Sequence, residues 1–308
     1  MPHHMPSPLA QIADLSVTRG VRVPVAAPIA VVVMSTDSYP FTADAVASLT
    51  TQNIRAEIVV VNTGRGSLQP ALSKLLDEIV LVETGERQFA GGTRNLGIQH
   101  SQAPIIAFLA ADCMATPNWL SHRLRTHERT TTVASALLPA PAKDGRVRAI
   151  SWASCLTTHF ARLPHTPSER AVLFGLSYRR ELFDMFGSFD EQIRVGEDTL
   201  LNEKIERVER PVWNPQIVTL HRYPAALRPA LIDQFHRGRR LVRFSRSVRP
   251  RSRLALAAGN MKRAIKIAFE LAQAGTFQFP HEAVKACWLV PILAAAMSAG
   301  ILVSFDRD

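Results

Sequence analysis

The chain has 308 residues, of which 47% are hydrophobic, and its formal net charge is +10. This length fits one large α/β domain with an appendage, and such a chain buries a sizeable core without disulfides or structural metal. The three cysteines, Cys113, Cys155 and Cys287, lie far apart and form no C-x-x-C pair. A disulfide framework and a zinc knuckle are therefore not indicated, and a reducing, cytoplasmic environment is expected.

The positive charge is concentrated in one part of the chain. Arginine and lysine dominate residues 237–266, whereas the first 230 residues are close to balanced. A basic stretch attracts polyanions such as anionic lipid headgroups, phosphorylated substrates or nucleic acid. Few aromatic residues interleave with these arginines and no nucleic-acid-binding motif is present, so we expect no nucleic-acid partner.

Short apolar runs alternate with helical patterns after a polar start. Residues 1–25 are rich in Pro, His and Ser and lack the apolar core of a secretion signal, which predicts a flexible tail. From there the predicted elements, in chain order, are strand 28–34, helix 42–52, strand 57–61, helix 68–77, strand 79–82, helix 90–101, strand 105–109, strand 173–178, helix 197–207 and strand 217–221. Continuous apolar strands alternating with helices predict an α/β domain over 26–222, with a mostly parallel sheet covered by helices on both faces.

Polar side chains follow three of these strands. Asp37 comes after the first strand, Asn62 after the second and Asp112 after the fourth. The carboxyl ends of parallel strands share one edge of a sheet, and ligands bind beyond that edge. We therefore expect these side chains to lie on one rim.

The sequence after residue 222 predicts a helical C-terminal region, 223–308. Residues 230–248 form a basic helix with few acids. Residues 287–305 are apolar, are interrupted by Pro291 and approach the ~20 residues that span a bilayer. The sequence is compatible with two alternatives for this segment, a helix that dips into or spans a membrane and a buried tail helix. The basic residues upstream would keep the body cytoplasmic, either peripheral at the inner membrane or anchored there by the C-terminal segment.

Several motifs now follow one another in a fixed order. They are VVVMST (31–36), EIVVVNTG (57–64), GGTRNLGI (91–98), FLAADC (108–113), SYRR (177–180), FGSFD (186–190) and GED (196–198). This order, over residues 28–222, resembles glycosyltransferase family 2. The resemblance implies a Rossmann-like GT-A fold, a nucleotide diphosphate sugar donor, a divalent ion (Mg²⁺ or Mn²⁺) and inversion at the anomeric carbon.

The resemblance also implies where the ion binds. Asp112 stands at the last acidic position of the family's D-x-D signature, whose first acid is replaced by Ala110. A hard cation prefers carboxylate oxygen, and it would neutralise charge on the departing nucleotide diphosphate. His221, at the end of the last core strand, is a second candidate ligand. The alternative is that Asp112 binds no ion and only caps the loop before Pro117.

Four further residues are candidates for donor binding. Thr36 and Asp37 follow the first strand, and Asn62 stands where the family has an acid that contacts the nucleotide. An Asn-Thr-Gly turn without a ligand is the alternative at Asn62. Arg94 follows a glycine pair at a helix start, where glycines allow close approach and the arginine is expected to contact phosphate. A surface arginine at a glycine-based helix start is the alternative.

Asp198 is the predicted catalytic base. An inverting transfer needs one base to take the proton of the acceptor hydroxyl as its oxygen attacks the anomeric carbon. The resemblance assigns this role to Asp198, with Glu197 as an acceptor or ion contact. The alternative is that both acids only complement the helix dipole. Further along, Gln234, Arg237 and Arg240 resemble a Q-x-x-R element of membrane-associated relatives.

The predicted function is glycosyl transfer to a hydroxyl acceptor, either a glycan, a lipid-linked molecule or a small metabolite. The basic stretch before an apolar tail adds an anionic membrane surface as an expected partner. A catalytically weak saccharide- or nucleotide-binding protein on the same fold is the alternative, because Ala110 and Asn62 replace acids of the family pattern.

Overall fold

The centre of the molecule is a mixed β-sheet. The computed structural model describes residues 12, 14–164, 176–248 and 250–304, and within them nine strands share this sheet. The strands are β1 (Ser16–Arg19), β2 (Ala30–Thr36), β3 (Glu57–Thr63), β4 (Ile79–Thr84), β5 (Ile105–Ala110), β6 (Cys113–Ala115), β7 (Thr132–Pro139), β8 (Ser177–Arg179) and β9 (Val212–His221). In space they follow the order β1, β4, β3, β2, β5, β8, β7, β9, β6.

Helices cover both faces of the sheet and form a layer of their own. They are α1 (Thr42–Thr50), α2 (Gln69–Leu72), α3 (Ala90–Gln99), α4 (Trp119–His127), α5 (Ala149–His159), α6 (Glu181–Phe186), α7 (Glu197–Ile205), α8 (Leu227–Ser247), α9 (Arg253–Gln278), α10 (His281–Lys285) and α11 (Leu289–Leu302). Short 3₁₀ turns lie at Leu76–Glu78 and Phe160–Arg162.

Strands β4, β3, β2 and β5 form a parallel block, which confirms the predicted α/β class. Val31 and Val33 of β2 join the apolar cluster that includes α1, and Val32 joins the cluster on the other face with α3. A strand buried on both faces has to be apolar at every position, which explains the uninterrupted apolar runs. Beyond β5 the sheet becomes mixed, because β8 pairs antiparallel with both β5 and β7.

Two predicted elements differ from those observed. The helix expected over 68–77 is reduced to α2 and a 3₁₀ turn, because Leu68 and Leu72 are both buried by one helical turn and the chain re-enters the sheet at Ile79. The strand expected over 173–178 is observed as β8, and residues 173–175 lie outside the described part of the chain.

The N-terminal segment contributes an edge strand. β1 pairs antiparallel with β4, with Val17 opposite Val82. The predicted flexible tail over 1–25 is therefore wrong for residues 16–19, while residues 1–11 lie outside the described part of the chain. All four side chains of β1 are exposed, so no apolar pattern marks this strand in the sequence and its pairing is carried by the backbone.

The C-terminal helices pack against α5 and form a second apolar core. Leu293 and Ala294 of α11 and Ile267 and Leu271 of α9 are buried in it, together with Leu156 of α5. Helix α9, with 26 residues, is the longest described helix, and the sequence analysis did not assign it.

The apolar C-terminal segment forms α11, which packs against the other helices. This corresponds to the buried tail helix, one of the two alternatives from the sequence. Pro291 lies in the first turn of α11 and does not interrupt it, because the N–H groups of a first turn have no partner within the helix. Among the described residues, none of the helices has both the length and the apolar character that a membrane crossing requires.

Helices α8 and α11 cross with their backbones in contact. A Cβ atom on Gly300 would lie 2.0 Å from the carbonyl oxygen of Phe235, and one on Gly238 would lie 2.0 Å from the carbonyl oxygen of Met297. Neither backbone can retreat without moving a whole helix. Glycine is therefore required at both positions by the packing of this layer.

We expect Gly300→Ala to lower the free energy of unfolding by about 1–3 kcal/mol, as overpacking of a close contact does. Gly259→Ala is the matched control, since Gly259 lies within α9 and a Cβ there would meet no atom within 4 Å. Removing a helical glycine at this open position should stabilise the protein by about 0.5–1 kcal/mol. Urea denaturation measures both, and equal effects of the two substitutions would contradict the close crossing.

Candidate active site

Asp112 and His221 meet because strand β6 pairs with the end of β9. In this pairing Cys113 lies opposite His221. The backbone N–H of Arg222 donates to the Asp112 carbonyl oxygen over 2.9 Å. Oδ2 of Asp112 consequently lies 3.5 Å from Nε2 of His221. The structure thus brings the two predicted ion ligands together at the carboxyl end of β5.

The donor set at this point fits a divalent ion. One potential ligand atom each from Asp112, Cys113 and His221 lies within 4.8 Å of the others. Burial raises the pKa of the Cys113 thiol well above its usual value, and sulfur is a soft ligand that Mg²⁺ and Mn²⁺ favour less than oxygen. Burial also lowers the pKa of His221, which keeps its imidazole neutral. A carboxylate oxygen with a neutral imidazole nitrogen suits Mn²⁺, and a mostly oxygen-based set completed by diphosphate and water suits Mg²⁺.

Asp198 lies near the same edge of the sheet as Asp112. Asp198, in the first turn of α7, lines one cavity, while Thr36 and Asp112 line a second cavity of about 190 Å³. Met34 and Ala110 belong to the walls of both, so the two cavities adjoin at the ends of β2 and β5. The two carboxyl groups come from distant parts of the sequence and line adjoining cavities, which together are called the cleft.

Glu197 forms a buried ion pair with Arg94. The Arg94 guanidinium also lies 5.1 Å from the ring centroid of Phe189 and 5.8 Å from that of Phe108. Burial favours a lower pKa for Arg94, but the charges of Asp198 and Glu197 outweigh it and the pKa is raised. The ion pair ties α3 to α7 and thereby fixes the position of the adjacent Asp198.

The glycine pair before Arg94 has a packing role. A Cβ atom on Gly91 would lie 2.2 Å from the carbonyl oxygen of Asp190. Gly91 therefore allows α3 to pack against the loop that leads to α7. The close approach that the sequence predicts at this glycine is made by the chain itself.

Asn62 and Asp37 hold the loop after β2. Asn62 is fully buried; its side chain donates to the side chains of Ser38 and Glu83 and accepts the Ser38 backbone N–H over 3.0 Å. Asp37 is exposed and accepts the Arg65 backbone N–H over 2.9 Å. These contacts shape the wall that carries Thr36, and direct donor contacts of Asn62 and Asp37 stay predictions.

Sequence patterns do not predict a role for two further residues in or near the cleft. Tyr39 lines the cavity of Asp112, and its pKa is raised by burial and by that carboxylate. Arg162 lies near Asp198: burial lowers the pKa of Arg162 to about 10, and the Asp198 charge acts in the opposite direction. No motif surrounds either residue, so only the folded chain shows them.

The Q-x-x-R element lies on α8, close to the His221 side of the cleft. Gln234 is buried and donates to Oγ1 of Thr158 over 3.1 Å. Nε of Arg237 donates to Oδ2 of Asp233 over 2.6 Å, and its positive charge contributes to the lowered pKa of His221. The element thus connects the C-terminal helical layer to the cleft.

The chain belongs to glycosyl transferase family 2, whose sequence model matches residues 30–186. It is therefore a glycosyltransferase by family, with the GT-A fold. No curated protein sequence matches the chain significantly.

Among the solved structures that match this fold are a mannosyltransferase and TarS. Mannosyltransferase PcManGT from Pyrobaculum calidifontis, in complex with GDP-Man and Mn²⁺, is 17% identical, with a TM-score of 0.60 over 94% of this chain and 90% of that one. TarS 1–349 of S. aureus, in complex with UDP-GlcNAc, is 11% identical, with a TM-score of 0.50 over 88% of this chain and 90% of that one.

We expect Arg94→Met to lower the free energy of unfolding by about 3–5 kcal/mol, because it leaves the Glu197 carboxylate buried without its partner. The double substitution Arg94→Met, Glu197→Leu should recover most of this loss, since no charge remains buried. Arg148→Met is the control: it removes an ion pair to Asp144 in which both side chains are well exposed, and stability should hardly change. Additive effects of the two substitutions at Arg94 and Glu197, measured by chemical denaturation, would contradict the coupling.

Proposed function

We propose that the protein transfers a sugar, with inversion, from a nucleotide diphosphate sugar to a hydroxyl group of an acceptor. The observation that carries this proposal is the convergence of the Asp112 and His221 pair with Asp198 on adjoining cavities of one cleft. Family membership supplies the class of reaction, and the geometry supports the assignment of roles to individual residues.

The donor is proposed to lie over the ends of β2 and β5. Asp112 and His221 would hold Mn²⁺ or Mg²⁺ there, and the ion when bound neutralises charge on the nucleotide diphosphate leaving group. Thr36 and Tyr39 line the same cavity as Asp112, so they are placed to contact the nucleotide. PcManGT and TarS bind nucleotide sugars in their solved complexes, which supports a donor of this class.

Asp198 is proposed to accept the proton of the acceptor hydroxyl. As that oxygen forms its bond to the anomeric carbon, the bond to the diphosphate breaks on the opposite face and the configuration inverts. Glu197 is a positioning residue in this scheme, because its carboxylate already pairs with Arg94. Arg94 lines the cavity of Asp198 and retains its charge, which also suits the predicted contact with donor phosphate.

Two substitutions separate donor binding from transfer. Asp112→Asn should weaken Mn²⁺-dependent donor binding by about 10-fold or more, which corresponds to ~1.4 kcal/mol. Asp198→Asn should leave donor affinity unchanged and lower kcat by about 10²–10⁴-fold, the range of general base catalysis. Calorimetry with GDP- and UDP-sugars, with and without Mn²⁺, and a transfer assay with a panel of hydroxyl acceptors measure the two properties.

Asp184→Asn is the matched control, since Asp184 is exposed on α6 and outside the cleft. A full transfer rate in Asp198→Asn would remove the base assignment. Donor binding without turnover on any acceptor in the wild-type protein would instead support the binding-protein alternative, which Ala110 at the first D-x-D position favours.

We also propose that α9 carries a surface for anionic membranes. Ile265 and Phe269 are 60% and 61% exposed. Lys262 lies three positions before Ile265 and Lys266 three positions before Phe269, so the lysines share the side of the helix that carries these apolar residues. Exposed apolar side chains flanked by lysines are typical of helices that lie on anionic lipid headgroups.

The double substitution Ile265→Ser, Phe269→Ser should lower the partition coefficient onto phosphatidylglycerol vesicles by about 10-fold or more, because the two apolar side chains together contribute a few kcal/mol when buried. Val208→Ser, at an apolar side chain that is 71% exposed elsewhere on the surface, is the control and should bind like wild type. Flotation assays measure the bound fraction. Equal binding of the wild-type protein to phosphatidylcholine vesicles would contradict the role of the lysines.

A further inference from the structure

A third cavity, of about 310 Å³, lies between the end of α5 and helix α9. This volume falls within the range of small-molecule sites. Its walls include His159, Phe160 and Arg162 on one side and Arg263, Lys266 and Glu270 on the other. The cavity is separate from the two cavities of the proposed donor site.

The described walls of this cavity carry more positive than negative side chains. Its described walls carry three cationic side chains, Arg162, Arg263 and Lys266, against the single carboxylate of Glu270, which lies 3.5 Å from Nζ of Lys266. Burial lowers the pKa of Arg162 to about 10, so its guanidinium is still charged at neutral pH. A partly desolvated cluster of this kind is stabilised by an anionic ligand, and arginine is suited to bidentate contacts with phosphate.

One wall of the cavity lies next to the proposed ion site. The ring of His159, in its wall, lies 5.7 Å from that of His221. Nδ1 of His159 is hydrogen-bonded to the Tyr223 hydroxyl over 2.5 Å, and the Tyr223 ring lies 4.3 Å from that of His221. Arg162 lies within the electrostatic reach of Asp198. The wall of the cavity is therefore packed against His221 of the proposed reaction centre.

We propose that this cavity binds the acceptor, and that the acceptor carries a phosphomonoester held by Arg162, Arg263 and Lys266. This inference rests on the proposed function, because it assigns the class of the molecule whose hydroxyl faces Asp198. During transfer the hydroxyl oxygen bonds to the anomeric carbon, the nucleotide diphosphate leaves, and the hydroxyl proton passes to Asp198. The phosphomonoester remains bound in the cavity and takes no part in the bond changes.

The phosphomonoester has two possible sources, a membrane lipid or a soluble metabolite. Lys266 belongs both to the cavity wall and to the exposed face of α9 that carries Ile265 and Phe269. The cavity therefore opens beside the surface proposed for membranes. Both sources present the same group to the same side chains, so they are distinguished by the probe.

The test measures binding of matched probes without any donor. Glycerol 3-phosphate is compared with glycerol, and lysophosphatidic acid with its neutral monoacylglycerol, by calorimetry below the micellar concentration. In at least one of the two pairs, the phosphorylated probe should bind the wild-type protein at least about 10-fold more tightly than its neutral counterpart. Hydrogen bonds to charged groups contribute ~1.5–3 kcal/mol, which accounts for a difference of this size. Preference confined to the lipid pair identifies a lipid acceptor, and preference in the soluble pair identifies a metabolite.

The double substitution Arg263→Met, Lys266→Met should abolish this preference. Lys266 is well exposed, whereas Arg263 donates to the Thr157 carbonyl oxygen over 2.7 Å, so a melting curve checks that the double variant is folded. Lys74→Met is the control, at an exposed lysine after α2 and outside the cavity, and should keep the preference. Equal affinity for charged and neutral probes, no binding of either phosphorylated probe, or an unchanged preference in the double variant would overturn the proposal.

Donor binding is measured on the same samples with a nucleotide sugar and Mn²⁺. The double variant should bind the donor like wild type, because neither residue lines the proposed donor cavity. Loss of phosphate preference with intact donor binding concerns the acceptor site alone. If the wild-type protein binds no donor, the proposed function is wrong. The measured phosphate preference of the cavity would still be valid, because it is determined without a donor.

Discussion

The antiparallel pairing of β6 with the end of β9 is the constraint on which the cleft depends. β6 has only three residues, yet it places Cys113 opposite His221 and so brings the adjacent Asp112 to the imidazole. β9 is held in turn by its long parallel pairing with β7. The position of an ion in this site would therefore be set by backbone hydrogen bonds within the sheet, which are among the least deformable contacts of a fold.

A buried ion pair performs the corresponding task for the proposed base. Arg94 on α3 and Glu197 on α7 neutralise each other beside Asp198, and the pair leaves Asp198 free to face the cavity. Burying two charges is costly unless they are paired, so this arrangement permits few alternatives for the start of α7. The sequence predicts Asp198 as the base and Glu197 as an acceptor or ion contact, whereas in the structure the Glu197 carboxylate forms an ion pair with Arg94.

The C-terminal helices contribute more than a covering layer. Arg237 on α8 lies close enough to His221 to affect its pKa, and α9 supplies one wall of the basic cavity next to Arg162. The close crossing of α8 and α11 at Gly238 and Gly300 fixes this layer against α5. The proposed donor site is thus built at the edge of the sheet and the proposed acceptor cavity between α5 and α9, so their alignment depends on how the C-terminal helices pack against the sheet domain.

The sequence by itself determined the parallel block, the family and the residues that carry its motifs. Uninterrupted apolar runs such as Val31 to Val33 are needed only where a strand is buried on both faces, so they reveal both the strands and the rim beyond them. The tertiary structure alone decided the rest. β1 is exposed and β6 is too short for a pattern, so pairing with distant strands creates them; Arg162 has no motif because its role comes from the groups packed around it. Local periodicity reports which face of an element is buried, but contacts between elements far apart in the chain are decided only when the whole chain packs.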